Sequence, residues 1–262
     1  MRSSLLVLVG LVVTAAAPAA AQTEPPVLSA AETAAACAPP VAPRSAKHAL
    51  RVLGSQDVLP RTTFDDRDLL VVNGGTSAGV QIGSRFFVRR QSYFGMRRPY
   101  DAPVDVITDA WIQVIAANEA TAIARVEHLC GAIFVDDYLE PFEVPHLPAN
   151  ADGSGPAGAP DFSKMARVVT GLDGHRTIVA GEFVIIDHGA EQGIEPGTKL
   201  SLYRDIVVVR PYSSMILSAE QGVPLTWIGE AVVVSADGSK SQAKVLRTRD
   251  GVWDGDYAVL RR

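Results

Sequence analysis

The sequence has 262 residues, 20% of them charged and 47% hydrophobic, with a formal net charge of −5. That is globular composition, without the low hydrophobicity of a disordered chain. The acidic balance argues against nucleic acid as a partner, which would call for a basic surface.

At the N-terminus Arg2 precedes an apolar run from Leu5 to Ala17, and Ala19-Ala20-Ala21-Gln22 follows. A positive start, a short apolar core and an Ala-x-Ala site predict a secretory signal peptide over residues 1–21, cleaved after Ala21. The run is shorter than the roughly 20 residues a transmembrane anchor needs. Cys37 lies too far beyond it for a lipoprotein. The expected location is therefore the periplasm, or the outer membrane as a peripheral protein. Residues 22–47 are rich in alanine and proline and predict a poorly ordered segment, with helical composition only around Ser29 to Ala36.

The rest of the chain contains a repeat. Asp68-Leu-Leu-Val-Val-Asn-Gly-Gly-Thr-Ser-Ala-Gly-Val-Gln-Ile-Gly83 aligns without a gap on Glu182-Phe-Val-Ile-Ile-Asp-His-Gly-Ala-Glu-Gln-Gly-Ile-Glu-Pro-Gly197. Gly75, Gly79 and Gly83 fall on Gly189, Gly193 and Gly197, and Val80 falls on Ile194. With small slips, Arg51-Val-Leu-Gly recurs at Arg167, Arg98-Pro-Tyr at Arg210, Trp111-Ile112 at Trp227-Ile228, and Asp137-Tyr138 at Asp256-Tyr257. Self-similarity of this kind marks a duplicated structural unit. The modules span residues 48–144 and 163–262, and the Gly/Pro/Ala-rich residues 145–162 read as a flexible linker.

Within each module, Leu69 to Val72, Arg85 to Arg90, Ile178 to Ile186, Leu200 to Tyr203 and Ala231 to Val234 are short β-branched or aromatic runs between glycines and aspartates. They predict antiparallel strands. The fold class expected is all-β: two tandem small β-barrel or sandwich modules after a signal peptide and a disordered Ala/Pro-rich segment. The repeated glycines are expected to supply positive φ at the turns between strands.

The strand, the Gly-x-x-x-Gly-[Val/Ile]-x-x-Gly turn, the Tyr203-Arg204 strand end and Gly255-Asp256-Tyr257 together resemble certain envelope β-domains. These are the C-terminal domain of the flagellar T-ring assembly protein and the β-module that follows LysM domains in proteobacterial proteins. The first copy departs from that pattern at Val88-Arg89-Arg90 and Asp136-Asp137-Tyr138. The resemblance implies an envelope-associated, non-enzymatic module.

Catalytic readings are weak. Gly75-Thr76-Ser77-Ala78-Gly79 fits a Gly-x-Ser-x-Gly elbow, but a strand rather than a helix follows, and the second copy has Glu191 in place of Ser77. The five histidines, His48, His128, His146, His175 and His188, show no metal-ligand spacing. The pairs Asp65-Asp66 and Asp136-Asp137 suit solvated turns. No metal, cofactor or phosphate loop is expected.

Two features remain. Cys37 and Cys130 either stay as thiols or pair, closing a loop of about 90 residues for about 4 kcal/mol in an oxidising compartment. Arg85, Arg89, Arg90, Arg97 and Arg98 fall in a stretch without acids and interleave with aromatics. They form either the wet side of a hairpin or a surface for an anionic partner. The expected function is a non-enzymatic envelope binding or scaffolding protein that engages peptidoglycan or a larger envelope assembly. A secreted hydrolase using Ser77 or a carboxylate pair, and a structural oligomer subunit, are the alternatives.

Overall fold

In Ala122-Ile123-Ala124-Arg125 every second side chain is small and apolar. In the computed structural model Ala122 and Ala124 turn into a core while Arg125 stays in water. The same alternation curls both halves of the chain. The structure describes residues 27–41, 50–57, 59–92, 105–171, 177–210, 213–216 and 224–262. The segment read as a signal peptide lies outside them, as do His48, Arg97, Arg98, the Arg98-Pro99-Tyr100 motif and His175. No helix among the described residues is long and apolar enough to cross a membrane.

Both modules are all-β. In the first, the strands are β1 (Val52–Ser55), β2 (Thr63–Phe64), β3 (Leu69–Val72), β4 (Arg85–Ser92), β5 (Asp105–Ala117), β6 (Ala122–Leu129), β7 (Ile133–Phe134) and β8 (Tyr138–Pro141). Six of them form an antiparallel sheet in the order β1-β3-β6-β5-β4-β8. A bridge between Arg51 and Tyr138 brings its edges together, with Leu139 N–H donating to the Leu50 carbonyl at 2.7 Å. The second module runs β9 (Pro160–Gly171), β10 (Phe183–Ile186), β11 (Lys199–Asp205), β12 (Val207–Arg210), β13 (Ser213–Ile216), β14 (Leu225–Ala236), β15 (Ser241–Thr248) and β16 (Tyr257–Arg261). Its barrel closes fully in the order β10-β15-β14-β11-β16-β9. Replacing β1, β3, β4, β5, β6 and β8 by β9, β10, β11, β14, β15 and β16 turns one order into the other. The duplication is therefore one of topology as well as sequence.

The two cores match position by position. Leu70, Val80 and Val88 of the first occupy the places of Val184, Ile194 and Leu202 in the second. Phe64 and Ile133, paired across β2 and β7, correspond to Ile178 and Val252, joined by a single bridge. The Trp111-Ile112 match is corrected by register. Trp111 lies opposite Phe87, whereas Trp227 lies opposite Tyr203, the counterpart of Arg89. The bulges of β5 and β14 fall at equivalent places, so the difference comes from the longer connection before β14: Phe87 and Ser201 are 114 residues apart, whereas their partners Trp111 and Glu230 are 119 apart.

The glycines do two different jobs. Gly79 and Gly193 end short 3-10 turns at φ 79° and 81°, the left-handed conformation that glycine adopts without strain. Gly75 and Gly189 have negative φ and are needed for space: a Cβ there would lie 2.0 Å from the Asn118 carbonyl oxygen and 2.4 Å from that of Asp237. The close approach lets Thr76 and Ala190 N–H bond those same carbonyls at 2.8 and 2.7 Å.

In two stretches expected to be loose, the described residues are ordered. Ala30–Cys37 is an eight-residue helix, α1, with a Ser29–Glu32 capping box at its start. Residues 145–159 lie along the second barrel. Lys199 Nζ donates to the Gly153 carbonyl at 2.6 Å, Asn150 Nδ2 to Gly197 at 2.9 Å and Arg261 Nε to Gly158 at 3.0 Å. Leu147 and Ala151 pack beside Phe183 and Val234. A glycine- and proline-rich segment has little to bury, but here basic side chains of the barrel satisfy its carbonyls. β9 begins at Pro160, inside the stretch read as linker.

Gly75→Ala and Gly189→Ala are each expected to cost about 2–3 kcal/mol, because the new methyl meets backbone that cannot move aside. Ser77→Ala should cost under about 1 kcal/mol. Thermal unfolding of the three variants checks this, and a Gly75→Ala protein as stable as wild type would contradict the close-approach role.

Candidate functional site: the clasped cleft between the modules

Helix α1 has alanines on two faces, and each face meets a different barrel. Ala36 and Cys37 pack with Phe87, Trp111 and Phe142 on the outside of the first barrel. Ala35 and Ala38 pack with Phe183 and Val234 on the outside of the second. Polar bonds reinforce both sides: Thr108 Oγ1 donates to the Ala38 carbonyl at 3.4 Å, and Gln242 Nε2 to the Pro39 carbonyl at 2.7 Å. A disulfide joins Cys37, the last helical residue, to Cys130 in the turn after β6, across 5.4 Å between Cα atoms. His128 stacks on Trp111 with ring centroids 4.4 Å apart.

Beside this joint lies a cleft of about 420 Å³, walled by Ala38 and Pro40, by Phe87 and Arg89 of the first barrel, and by Val234 and Gln242 of the second. Its polar lining includes the buried Arg89–Glu140 pair, Nε to Oε2 at 3.2 Å. Neither module could form the cleft alone.

The arginine stretch is taken up internally as far as it is described. Arg85 Nε meets Glu127 at 2.6 Å and its guanidinium lies 4.1 Å from the Phe142 ring centre. Arg90 meets Asp109 at 3.0 Å and covers Phe134 at 4.4 Å. With Arg89 on Glu140, all three face acids from other strands. Arg97 and Arg98 lie outside the described residues. The cationic surface expected from the local sequence is therefore, for Arg85, Arg89 and Arg90, a set of ion pairs. The missed signal lies in Asp109, Glu127 and Glu140, which only the sheet order brings alongside.

The repeat exposes one divergence. In the second module Arg204 grips Asp256 with two bonds, 2.7 and 2.8 Å, and lies 4.0 Å from the centre of the Trp253 ring. The counterparts are Arg90, Asp137 and Phe134. The aromatic contact persists, and Phe134 N–H donates to Asp137 at 2.7 Å as Trp253 N–H does to Asp256 at 2.6 Å. Arg90, however, has turned to Asp109, whose place in the second module is taken by an apolar part of β14. Burial then dominates at Asp137 and pushes its carboxyl up to about 6, against the pull of the Phe134 N–H and Arg90 and with a further push from Asp136. A hollow of about 430 Å³ beside it is lined by Arg51, Arg90, Phe134 and Asp137.

The other candidates have local duties. The Ser77 hydroxyl donates to the Glu119 carbonyl, and the chain proceeds into strand β4. Asp65 accepts from Arg67 N–H at 3.0 Å in an exposed turn. Asp136 takes φ 74° where the second module has Gly255 at 90°. His146 is exposed, and His188 bonds Asp187 at 2.9 Å. Cys37, His128 and Cys130 bring ligand-type atoms within 4.8 Å of one another. With the sulfurs bonded to each other, neither is the thiolate that metal ligation requires.

The sign of the Asp137 effect follows from its folded-state value lying above the ordinary 3.8. The folded state holds that proton more tightly, so the contribution to stability is full below about pH 4 and is lost as pH rises through about 6. Asp137→Asn keeps the acceptor for Phe134 N–H and removes the charge. It should flatten stability between pH 4 and 6 and stabilise the protein by about 1–2 kcal/mol at pH 7.5. A variant less stable than wild type at pH 7.5 would show that the carboxylate is net favourable. Comparison of the sequence with known protein families, and with curated proteins, finds no match.

Proposed function

We propose that the chain is a non-enzymatic binding and scaffolding protein of the cell envelope, and that it engages peptidoglycan or a larger envelope assembly through the cleft between its two modules. The observation that carries this reading is the composite nature of the cleft: both barrels and α1 contribute walls, and a covalent bond ties the helix to one of them. A disulfide suits a protein working outside the reducing cytoplasm, in keeping with the Ala-x-Ala leader. The residues that the repeat preserves serve turns, backbone contacts and ion pairs rather than a reacting centre. A pre-formed groove loses little ordering entropy on binding an extended ligand. It also replaces the two independent weak sites that a flexible linker would suggest with one site of fixed geometry.

Cosedimentation of the purified protein with isolated peptidoglycan sacculi tests the proposal. Wild type should pellet. Ser235→Trp, which puts a large side chain into the cleft, should reduce pelleting at least about fivefold, whereas Ser239→Trp, in the nearby β14–β15 turn, should not. Wild type remaining in the supernatant would end the wall-binding reading. Equal pelleting of both variants would remove the cleft as its site.

A further inference from the structure

We propose that Cys37–Cys130 is an exchange-active disulfide. A dithiol reductant opens it with His128 as proton donor, releasing α1 and separating the two barrels. The inference rests on the joint that forms the cleft and not on what the cleft binds.

Three observations converge on it. Both sulfurs and a ring nitrogen of His128 lie within 4.8 Å of one another, and all three residues are partly open to solvent. The partial exposure offers an attacking thiolate a way to the bond, and a histidine ring nitrogen lies within 4.8 Å of the departing sulfur, close enough to serve it after a small movement. Second, neither cysteine belongs to the core of either barrel; both pack only in the small cluster around α1. Breaking the bond opens the joint and leaves the barrels whole. Third, α1 has only eight residues, well below the length at which a helix holds its shape in water by itself. Its other attachments among the described residues include the packing of Leu28, the alanine methyls and the bonds from Thr108 and Gln242. Without the covalent tie, a helix too short to hold its own shape keeps its place among the described residues only by non-covalent contacts.

In the first step a thiolate of the reductant attacks Cys37 Sγ, the S–S bond breaks, and Cys130 leaves as a thiolate that takes a proton from His128. The reductant's second thiol then attacks the mixed disulfide, and Cys37 departs and is protonated in turn. The net change is protein disulfide plus dithiol to protein dithiol plus cyclic disulfide, two electrons passing to the protein. Opening uncovers Phe87, Trp111 and Phe142 on one barrel and Phe183 and Val234 on the other, so the reaction converts a closed cleft into two separate apolar faces.

The experiment treats the full chain with dithiothreitol at pH 7. It follows thiol alkylation by mass spectrometry, cleavage after Glu32 by a glutamate-specific protease, and far-ultraviolet circular dichroism. Reduction should raise the rate of cleavage at Glu32 at least tenfold while leaving the β-sheet signal unchanged. The Cys37→Ser, Cys130→Ser double variant should be cleaved equally fast without reductant. His128→Gln should slow reduction about tenfold, and His128→Lys, which restores a proton donor, should recover most of the rate. Glu32 still protected after complete reduction would overturn the clasp, as would loss of the sheet signal on reduction. Reduction of His128→Gln at the wild-type rate would overturn the assigned role of the histidine.

Discussion

Phe87 and Trp111 on one barrel, and Phe183 and Val234 on the other, are large or branched apolar side chains that point out of their own cores. Left in water, each would forfeit roughly 1.5–3 kcal/mol of burial. One short helix covers both sets. Alanine suits the place because a larger side chain would hold the barrels apart, and because it favours the helix at little entropic cost. The position of the linker, the shape of the cleft and the relation between the barrels all follow from that sandwiched helix.

The arrangement is asymmetric although the modules are copies. Phe183 and Val234 of the second module are 3% and 2% exposed, whereas Leu69 and Ile115, at the same places in the first, are 37% and 39% exposed. Conversely, the first module presents Phe87 to the helix where the second has Ser201. Each module thus offers a different face to the joint, the head-to-tail kind of contact in which two like units use unlike surfaces. The ion pairs have diverged in the same way. The second module keeps Arg204 locked on Asp256, and the first has moved Arg90 to Asp109 and left Asp137 as a buried acid with a raised pKa. Duplication supplied the barrel, and substitutions on its outer face and rim made the two copies unequal.

Much of this was legible in the sequence because it depends on near neighbours. The glycine turns recur without gaps, the short β-branched runs became strands, and Ser29 to Ala36 had helical composition. The Gly75 and Gly189 positions were legible, but their reason was not: close approach to a carbonyl some 45 residues away leaves no mark beside the glycine. The helix's role was hidden for a similar reason. Its alanines carry no sign of a partner, and the Gln242–Pro39 bond spans 203 residues. The arginines looked like a free cationic stretch because their acids lie on other strands. The register of the tryptophans was hidden because the connection between the paired strands is longer in the second module, so that Trp227 takes the place of Thr108 and Glu230 that of Trp111.

The helix and its disulfide hold the two barrels as one body. Backbone 15N relaxation of the oxidised protein measures this directly, because each barrel reports its own rotational diffusion. One shared correlation time is expected for residues of both barrels, α1 and residues 145–159, with order parameters of about 0.85 in all of them. Two distinct, shorter correlation times, with low order parameters between Pro145 and Ala159, would show barrels on a loose tether and contradict it.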